Sequence, residues 1–282
     1  GEDVNLVTSN PALATDTLNG QAAFSYLSYF AGTNKLMMAY QGDVKGSGPW
    51  FIAAERIGYG EFSGYDPTGR YTGEESASES MIMIGRSHQV ANFSMGASVK
   101  FVSSSIAGFT ANALLMDIGG VFIHPGSNLR AGLVIRNLGF LLNDYEDGVN
   151  SEMPFDVRAG VTFKPEFMPF RFSLTAYRLS TWNDTPTGEE EVGTADELFR
   201  HLTIGAELLL SQHVNIRMGY NHLIRQELRL EEASGLAGWS FGVMFRVKAF
   251  ELAYSRGGYH AAGGSHNFTI VADMNRLTGK IR

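Results

Sequence analysis

Every second residue is apolar in stretch after stretch of this chain. That period allows little besides half-buried β-strands, whose successive side chains point to opposite faces. The clearest stretch is 93–102, where Phe93, Met95, Ala97, Val99 and Phe101 share one face and Ser94, Gly96, Ser98 and Lys100 the other. The pattern returns at 129–136, 155–164, 214–221 and 239–247. Fourteen candidate strands follow: 21–30, 33–41, 49–58, 77–87, 91–103, 112–123, 128–138, 154–164, 169–181, 199–210, 213–222, 237–247, 249–256 and 265–274. Most have the roughly 9–11 residues that a tilted strand needs to cross a bilayer. Strands of soluble sheets average about 5–6.

Composition narrows the choice. Charged residues make up 18% of the 282, below the roughly 25% of soluble domains. No run approaches the roughly 20 apolar residues of a membrane helix. Strands that turn apolar residues to lipid and polar ones to a lumen produce this modest hydrophobicity. The absence of cysteine removes disulfides and thiolate chemistry. A net charge of −7 gives no reason to expect nucleic acid. The chain starts at Gly1-Glu2-Asp3 with no visible export signal, as a processed chain would, so export is inferred from the strands.

The links between strands sort by length. Links 42–48, 88–90, 124–127, 165–168, 211–212 and 248 are tight. Alternating with them, 59–76, 104–111, 139–153, 182–198, 223–236 and 257–264 read as longer polar loops, with 31–32 the exception. A soluble β-sandwich has no reason to sort its loops this way, whereas outer-membrane barrels join strands by short periplasmic turns and long outer loops. An even strand number then puts both termini in the periplasm. Aromatics gather at both strand ends, for example Tyr40, Trp50, Phe93 and Phe122 by the tight turns and Tyr59, Trp182, Tyr220 and Trp239 by the loops. Two such girdles mark two membrane interfaces. The expected fold is therefore all-β, a closed transmembrane antiparallel β-barrel of about fourteen strands in the outer membrane. Its expected divisions are an N-terminal segment 1–20, a barrel 21–274 and a periplasmic tail 275–282.

In such a barrel the lumen receives Lys100, Arg130, Arg136, Asp156, Arg158, Arg171, Glu207, Arg217, Arg246 and Glu251, with Lys35, Glu55 and Asp273. These charges could set the selectivity of a pore. The favoured reading is a lumen packed shut by ion pairs, because opposite signs fall on adjacent strands, as with Arg217 near Glu207 and Arg246 near Glu251. Gly119-Gly120 could mark a kink in the sixth strand. Motifs for chemistry are weak. Gly58 to Gly64 is glycine-rich, but its spacing is not that of a dinucleotide loop, and neither GxSxG nor HExxH occurs. Ser265-His266-Asn267 offers hydrolase residue types, but successive strand residues face opposite ways. His201, His213 and His222 lack metal-ligand spacing, and Glu74-Glu75 and Glu189-Glu190-Glu191 read as solvated loops. No catalytic site, metal or cofactor is expected. Before the first strand, Pro11 pushes Asn10 out of the helical region, so Asn10-Pro11-Ala12 is a turn capping the barrel mouth.

Asn10-Pro11-Ala12-Leu13 just before the first strand resembles the N-terminal hatch of FadL-like outer-membrane barrels, a fourteen-stranded family. A closer set of stretches is Asp3 to Leu6, Leu27 to Gly32, Gly96 to Phe101, Gly132 to Gly139, Pro154 to Thr162 and Pro169 to Ser173. In order and spacing they resemble the PorQ-type barrels of the type IX secretion system of Bacteroidetes. That resemblance implies a non-catalytic anchor for a PorZ-like surface protein, working beside the PorU sortase-like peptidase and its PorV carrier barrel. Together these attach cargo to lipopolysaccharide, and lipopolysaccharide itself could touch the barrel. The docking surface would be the outer loops 59–76, 139–153, 182–198 and 223–236. The alternative is a FadL-type channel for hydrophobic small molecules, which needs an apolar lumen.

Overall fold

The structure is a computed structural model. It describes residues 3–146, 148, 151–182, 194–228, 235–260 and 263–279. Fourteen antiparallel strands close on themselves, each beside its sequence neighbours, with β1 pairing β14. They are β1 Gln21–Ser28, β2 Asn34–Val44, β3 Gly48–Tyr65, β4 Tyr71–Val90, β5 Phe93–Ile106, β6 Phe109–Ile123, β7 Leu129–Asn143, β8 Asp156–Phe163, β9 Phe170–Ala176, β10 Leu202–Leu209, β11 Val214–Asn221, β12 Trp239–Val247, β13 Phe250–His260 and β14 Gly263–Asp273. Short helices α1 Thr194–Arg200, α2 His222–Leu228 and α3 Met274–Leu277 and four 3-10 turns, three before β1 and one at Leu179–Thr181, complete the described elements.

Alternation decides which face each residue takes. Along β5, Phe93, Met95, Val99 and Phe101 are exposed to the outside, while Ser94, Ser98 and Lys100 are buried within. The outer face is apolar strand after strand, with Ile82, Ile84, Leu133, Phe172, Leu174, Phe268 and Ile270 all exposed. Only hydrocarbon makes that arrangement favourable, so the barrel is an outer-membrane protein. The tight turns share one end with both termini, where Gln21 pairs with Asp273. That end is periplasmic. Aromatic pairs mark the two edges: Phe93 and Phe122 at 5.1 Å on the periplasmic side, and Tyr220 and Trp239 at 4.9 Å on the other.

The wall has unequal height, and here the loop expectations need correction. Segment 59–76 is not a loop. β3 and β4 run on through it, with Glu61 opposite Ser76 and Tyr65 opposite Tyr71. Segment 104–111 is also strand, with Ile106 opposite Phe109 across Ala107-Gly108. Ala107 at φ 49° and Gly108 at φ 86° form the left-handed pair that suits a two-residue hairpin turn. Much of 257–264 belongs to β13 and β14, and β7 enters 139–153 as far as Asn143. Alternation fades in these parts because they stand clear of the membrane, where neither face need be apolar. β3, at 18 residues, is about 60 Å long, while β9, at 7, is about 24 Å. One side of the rim is therefore tall and the other low.

The two faces predict opposite tolerances. Leu133→Arg, on the lipid face near mid-span, should destabilise the barrel by about 2–4 kcal/mol. Ser255→Arg, toward the lumen, should stay within about 1 kcal/mol of wild type. Urea unfolding in lipid vesicles checks both.

Candidate functional site

Residues 4–18 form three 3-10 turns, Val4–Thr8, Pro11–Leu13 and Asp16–Leu18, that lie inside the barrel. Val4, Val7, Pro11, Ala12, Ala14 and Leu18 are fully buried there. Asn10 sets the middle turn: its side-chain oxygen accepts from the Ala12 N–H at 2.9 Å, and its amide donates to the Leu133 carbonyl at 3.3 Å. The wall supplies donors for the segment's carbonyls. Gln41 donates to Thr15 O at 2.6 Å, Ser94 to Ala12 O at 2.7 Å, and Ser87 to Ala14 O. Two glycines make the seat. A Cβ on Gly96 would meet the Pro11 backbone at 2.4 Å, and one on Gly119 would meet Asn10 at 1.9 Å. Gly119 thus serves close packing. The irregularity in this part of the sheet lies elsewhere, between Met116 and Ile118 of β6, opposite Asn137 of β7 at φ 59°.

That irregularity is built around Asp117, a residue that sequence reasoning missed. Asp117 is 0% exposed and forms an ion pair with Lys100, 2% exposed, at 2.6 Å. The same carboxylate accepts from the Asn137 N–H at 2.8 Å, and Arg136 lies 3.9 Å away. Asn137 then donates to the Pro154 carbonyl at 2.7 Å. β8 pairs β7 only up to Arg136–Asp156, so this buried network ties down the point where β7 continues without β8. Asp156 does similar work one strand on: it accepts from Arg158 and, at 2.9 Å, from the backbone N–H of Arg178 beyond the end of β9. The only sequence signal for Asp117 was a lone charge at an inward position, in a stretch from Ala113 to Ile123 with no other polar side chain.

The other expected lumen charges also come together. Glu207 pairs with Arg171 at 2.5 Å and Arg217 at 3.0 Å, Arg246 pairs with Glu251 at 2.8 Å, and Lys35 with Glu55 at 2.7 Å. Arg130 faces the same space from β7. The N-terminal segment packs toward β1–β7 and leaves two cavities on the other side, a mainly polar one of about 540 Å³ and a mixed one of about 570 Å³, meeting at Asp3 and Arg217. Ser265 and His266 point to opposite faces: Ser265 is buried inside, and His266 shares a hydrogen bond of 2.8 Å with Tyr254. Among the described residues no group of three or more His, Asp or Glu could hold a metal ion.

Beyond the membrane, the β3–β4 hairpin rises alone. β2 stops opposite Gly58 and β5 opposite Ala77, so the top is two-stranded. Tyr59, Phe62, Tyr65 and Tyr71 are exposed on it. Its tip is fixed by Asp66, which accepts from the Thr68 hydroxyl and N–H and from the Arg70 N–H. These bonds hold its carboxyl below the usual carboxylate range. The low side carries α1 and α2, the described parts of the expected loops 182–198 and 223–236; residues 183–193, with Glu189-Glu190-Glu191, and 229–234 lie outside the described residues. Asp196 of α1 joins the helices, accepting from His222 at 2.6 Å and from Arg200 at 2.8 Å. His201 is buried and stacks on Trp182 at 4.5 Å.

No family model matches the sequence, and no curated protein matches it. Solved structures match in fold. CymD, described as a monoaromatic hydrocarbon channel, superposes with a TM-score of 0.52 at 13% identity, covering 95% of this chain and 91% of that one. A deletion mutant of TodX, also described as a monoaromatic hydrocarbon channel, gives 0.50 at 14% identity, covering 95% and 92%. The outer-membrane protein Omp33 of Acinetobacter baumannii reaches 0.43 at 9% identity, covering 89% and 95%. At these identities the likeness is one of fold: this chain is an outer-membrane β-barrel.

Two outcomes follow. Asp117→Ala strands the buried Lys100 charge and should cost about 3–5 kcal/mol, while Lys100→Met with Asp117→Leu should recover most of it; a double-mutant cycle by urea unfolding measures both. The bonds from His222 and then Arg200 hold the Asp196 carboxyl below its ordinary range. A depressed carboxylate contributes above its unfolded pKa and loses that contribution as pH falls through the folded one. Hydrogen-exchange protection of Thr194–Arg200 should therefore persist from neutral pH to about 4 and fall only below it.

Proposed function

We propose that this barrel is a non-catalytic anchor that holds a protein complex at the cell surface through its outer rim. The observation that carries this reading is the division of labour between inside and outside. Part of the interior is taken up by the chain's own N-terminal segment and by ion-paired side chains, which supports reading the segment as a plug. The outer rim carries a freestanding hairpin with exposed tyrosines and carboxylates. Tyrosine-rich, projecting surfaces suit protein docking, since the rings bury large area at low entropic cost. The sequence resemblance to PorQ-type barrels supports the finer reading: a type IX secretion attachment complex in which the barrel anchors a PorZ-like protein beside the PorU–PorV machinery. Its surface would then be the β3–β4 hairpin with α1, α2 and the adjoining loops.

A second reading, a channel for small hydrophobic molecules, is favoured by the fold likeness to CymD and TodX. The cavity at the periplasmic end weighs against it, because Asn, Ser, Thr, Gln, Arg, Lys and Glu dominate its wall, where a hydrophobic solute needs an apolar path; the second cavity mixes polar groups with Leu6, Leu27, Met37, Phe241 and Val243 and does not oppose the channel.

Affinity purification of the tagged barrel from native membranes separates the two. An anchor should bring down a PorZ-like surface protein in stoichiometric amount, and replacing Tyr65 and Tyr71 by Ala should lower its recovery about tenfold or more. A barrel recovered alone, combined with faster uptake of toluene into vesicles that contain it, would overturn the anchor and establish the channel.

A further inference from the structure

The cavity of about 540 Å³ opens at the periplasmic end of the barrel, where the turn residues Asn128, Ser211 and Gln212 form its lip. Three neighbouring strands send cations into it. Arg130 comes from β7, Lys164 from the end of β8 and Arg171 from β9. The sheet register makes these close neighbours. Arg130 lies opposite Thr162, two residues before Lys164, and Phe163 lies opposite Phe172, which places Lys164 beside Arg171. Farther round the wall come Arg217 and Arg246.

The carboxylates do not balance them. Arg171 and Arg217 share the single carboxylate of Glu207, and Glu251 is engaged by Arg246. Asp3 is occupied with the amides of Asn5. Among the described residues, neither Arg130 nor Lys164 has an ion-pair partner within 4.0 Å. Like charges on adjacent strands repel, and a walled cavity focuses their field. One acidic residue at Thr162 would relieve the repulsion, yet the position is uncharged.

We propose that this periplasmic half-lumen is a binding site for a small, multiply charged phosphate anion, held between Arg130, Lys164 and Arg171. Two guanidinium forks and one ammonium supply planar and point-charge donors of the kind that phosphate oxygens accept. The volume falls in the range of small-molecule pockets and fits an anion the size of a diphosphate or a phosphorylated sugar. The site stands apart from the anchor reading, because it uses the opposite end of the barrel and no residue of the outer rim.

The test is calorimetric titration of the intact barrel, in zwitterionic detergent, with inorganic pyrophosphate. Saturable binding of one anion per barrel is expected. Arg130→Gln and Lys164→Gln should each weaken it about tenfold or more, and Arg70→Gln at the outer tip should leave it unchanged. Native-like heat-modifiable migration on gels shows that each variant is folded. If anionic phospholipid added to the micelles competes, the phosphate belongs to a lipid headgroup; if it does not, the anion is soluble. Absence of saturable binding in wild type, or equal binding by the Arg130 and Lys164 variants, would overturn the site.

Discussion

In hydrocarbon a backbone N–H has no water to turn to, and every one that spans the membrane needs a partner within the protein. This chain meets that demand by pairing its first strand with its last, Gln21 to Ser28 against Asp273 to His266. Once the sheet is closed, alternation has only one meaning: one face meets lipid and the other meets the lumen. The apolar belt, the buried charges and the site of the N-terminal segment all follow from that closure. The interior then has its own difficulty. A ring of fourteen strands encloses more space than side chains alone fill, and the chain fills part of it with residues 4–18, whose carbonyls take hydrogen bonds from Gln41, Ser87 and Ser94.

What the sequence made legible was whatever the bilayer enforces. All fourteen strands overlap the segments that alternation marked, though the ninth stops at Ala176 instead of 181 and the tenth begins at Leu202 instead of 199, where α1 still runs. Strand ends were legible only where they coincide with the membrane edge. Above it, residues such as Gly60, Glu61, Ser63 and Gly64 read as loop because no face there must be apolar, yet they continue β3. Pairing was harder to read than facing. Glu207 and Arg217 are directly opposed, so adjacency sufficed. Lys100 is opposite Leu115, and its partner Asp117 is diagonal to it, a relation that depends on a register no single-strand pattern contains.

The buried charges are best understood by where the sheet is imperfect. Asp117 sits at the break in the β6–β7 ladder, and Asp156 at the point where β8 begins and the chain leaves β9. Each carboxylate accepts a backbone N–H close to the place where a strand loses its neighbour. A charge in a lumen can thus act as a joint as well as a lining, and side-chain type alone does not distinguish the two roles.

The uneven rim gives the molecule something a circular barrel lacks, which is a bearing. A cylinder with level edges looks the same from every direction in the plane of the membrane. Here the β3–β4 hairpin stands above Gly58 and Ala77 while β8 to β11 stop short, so one compass direction is marked. Anything resting on this rim would lean against the tall wall and overhang the low one. A molecule seated there would then keep a fixed azimuth, able to turn only as the whole barrel turns in the membrane.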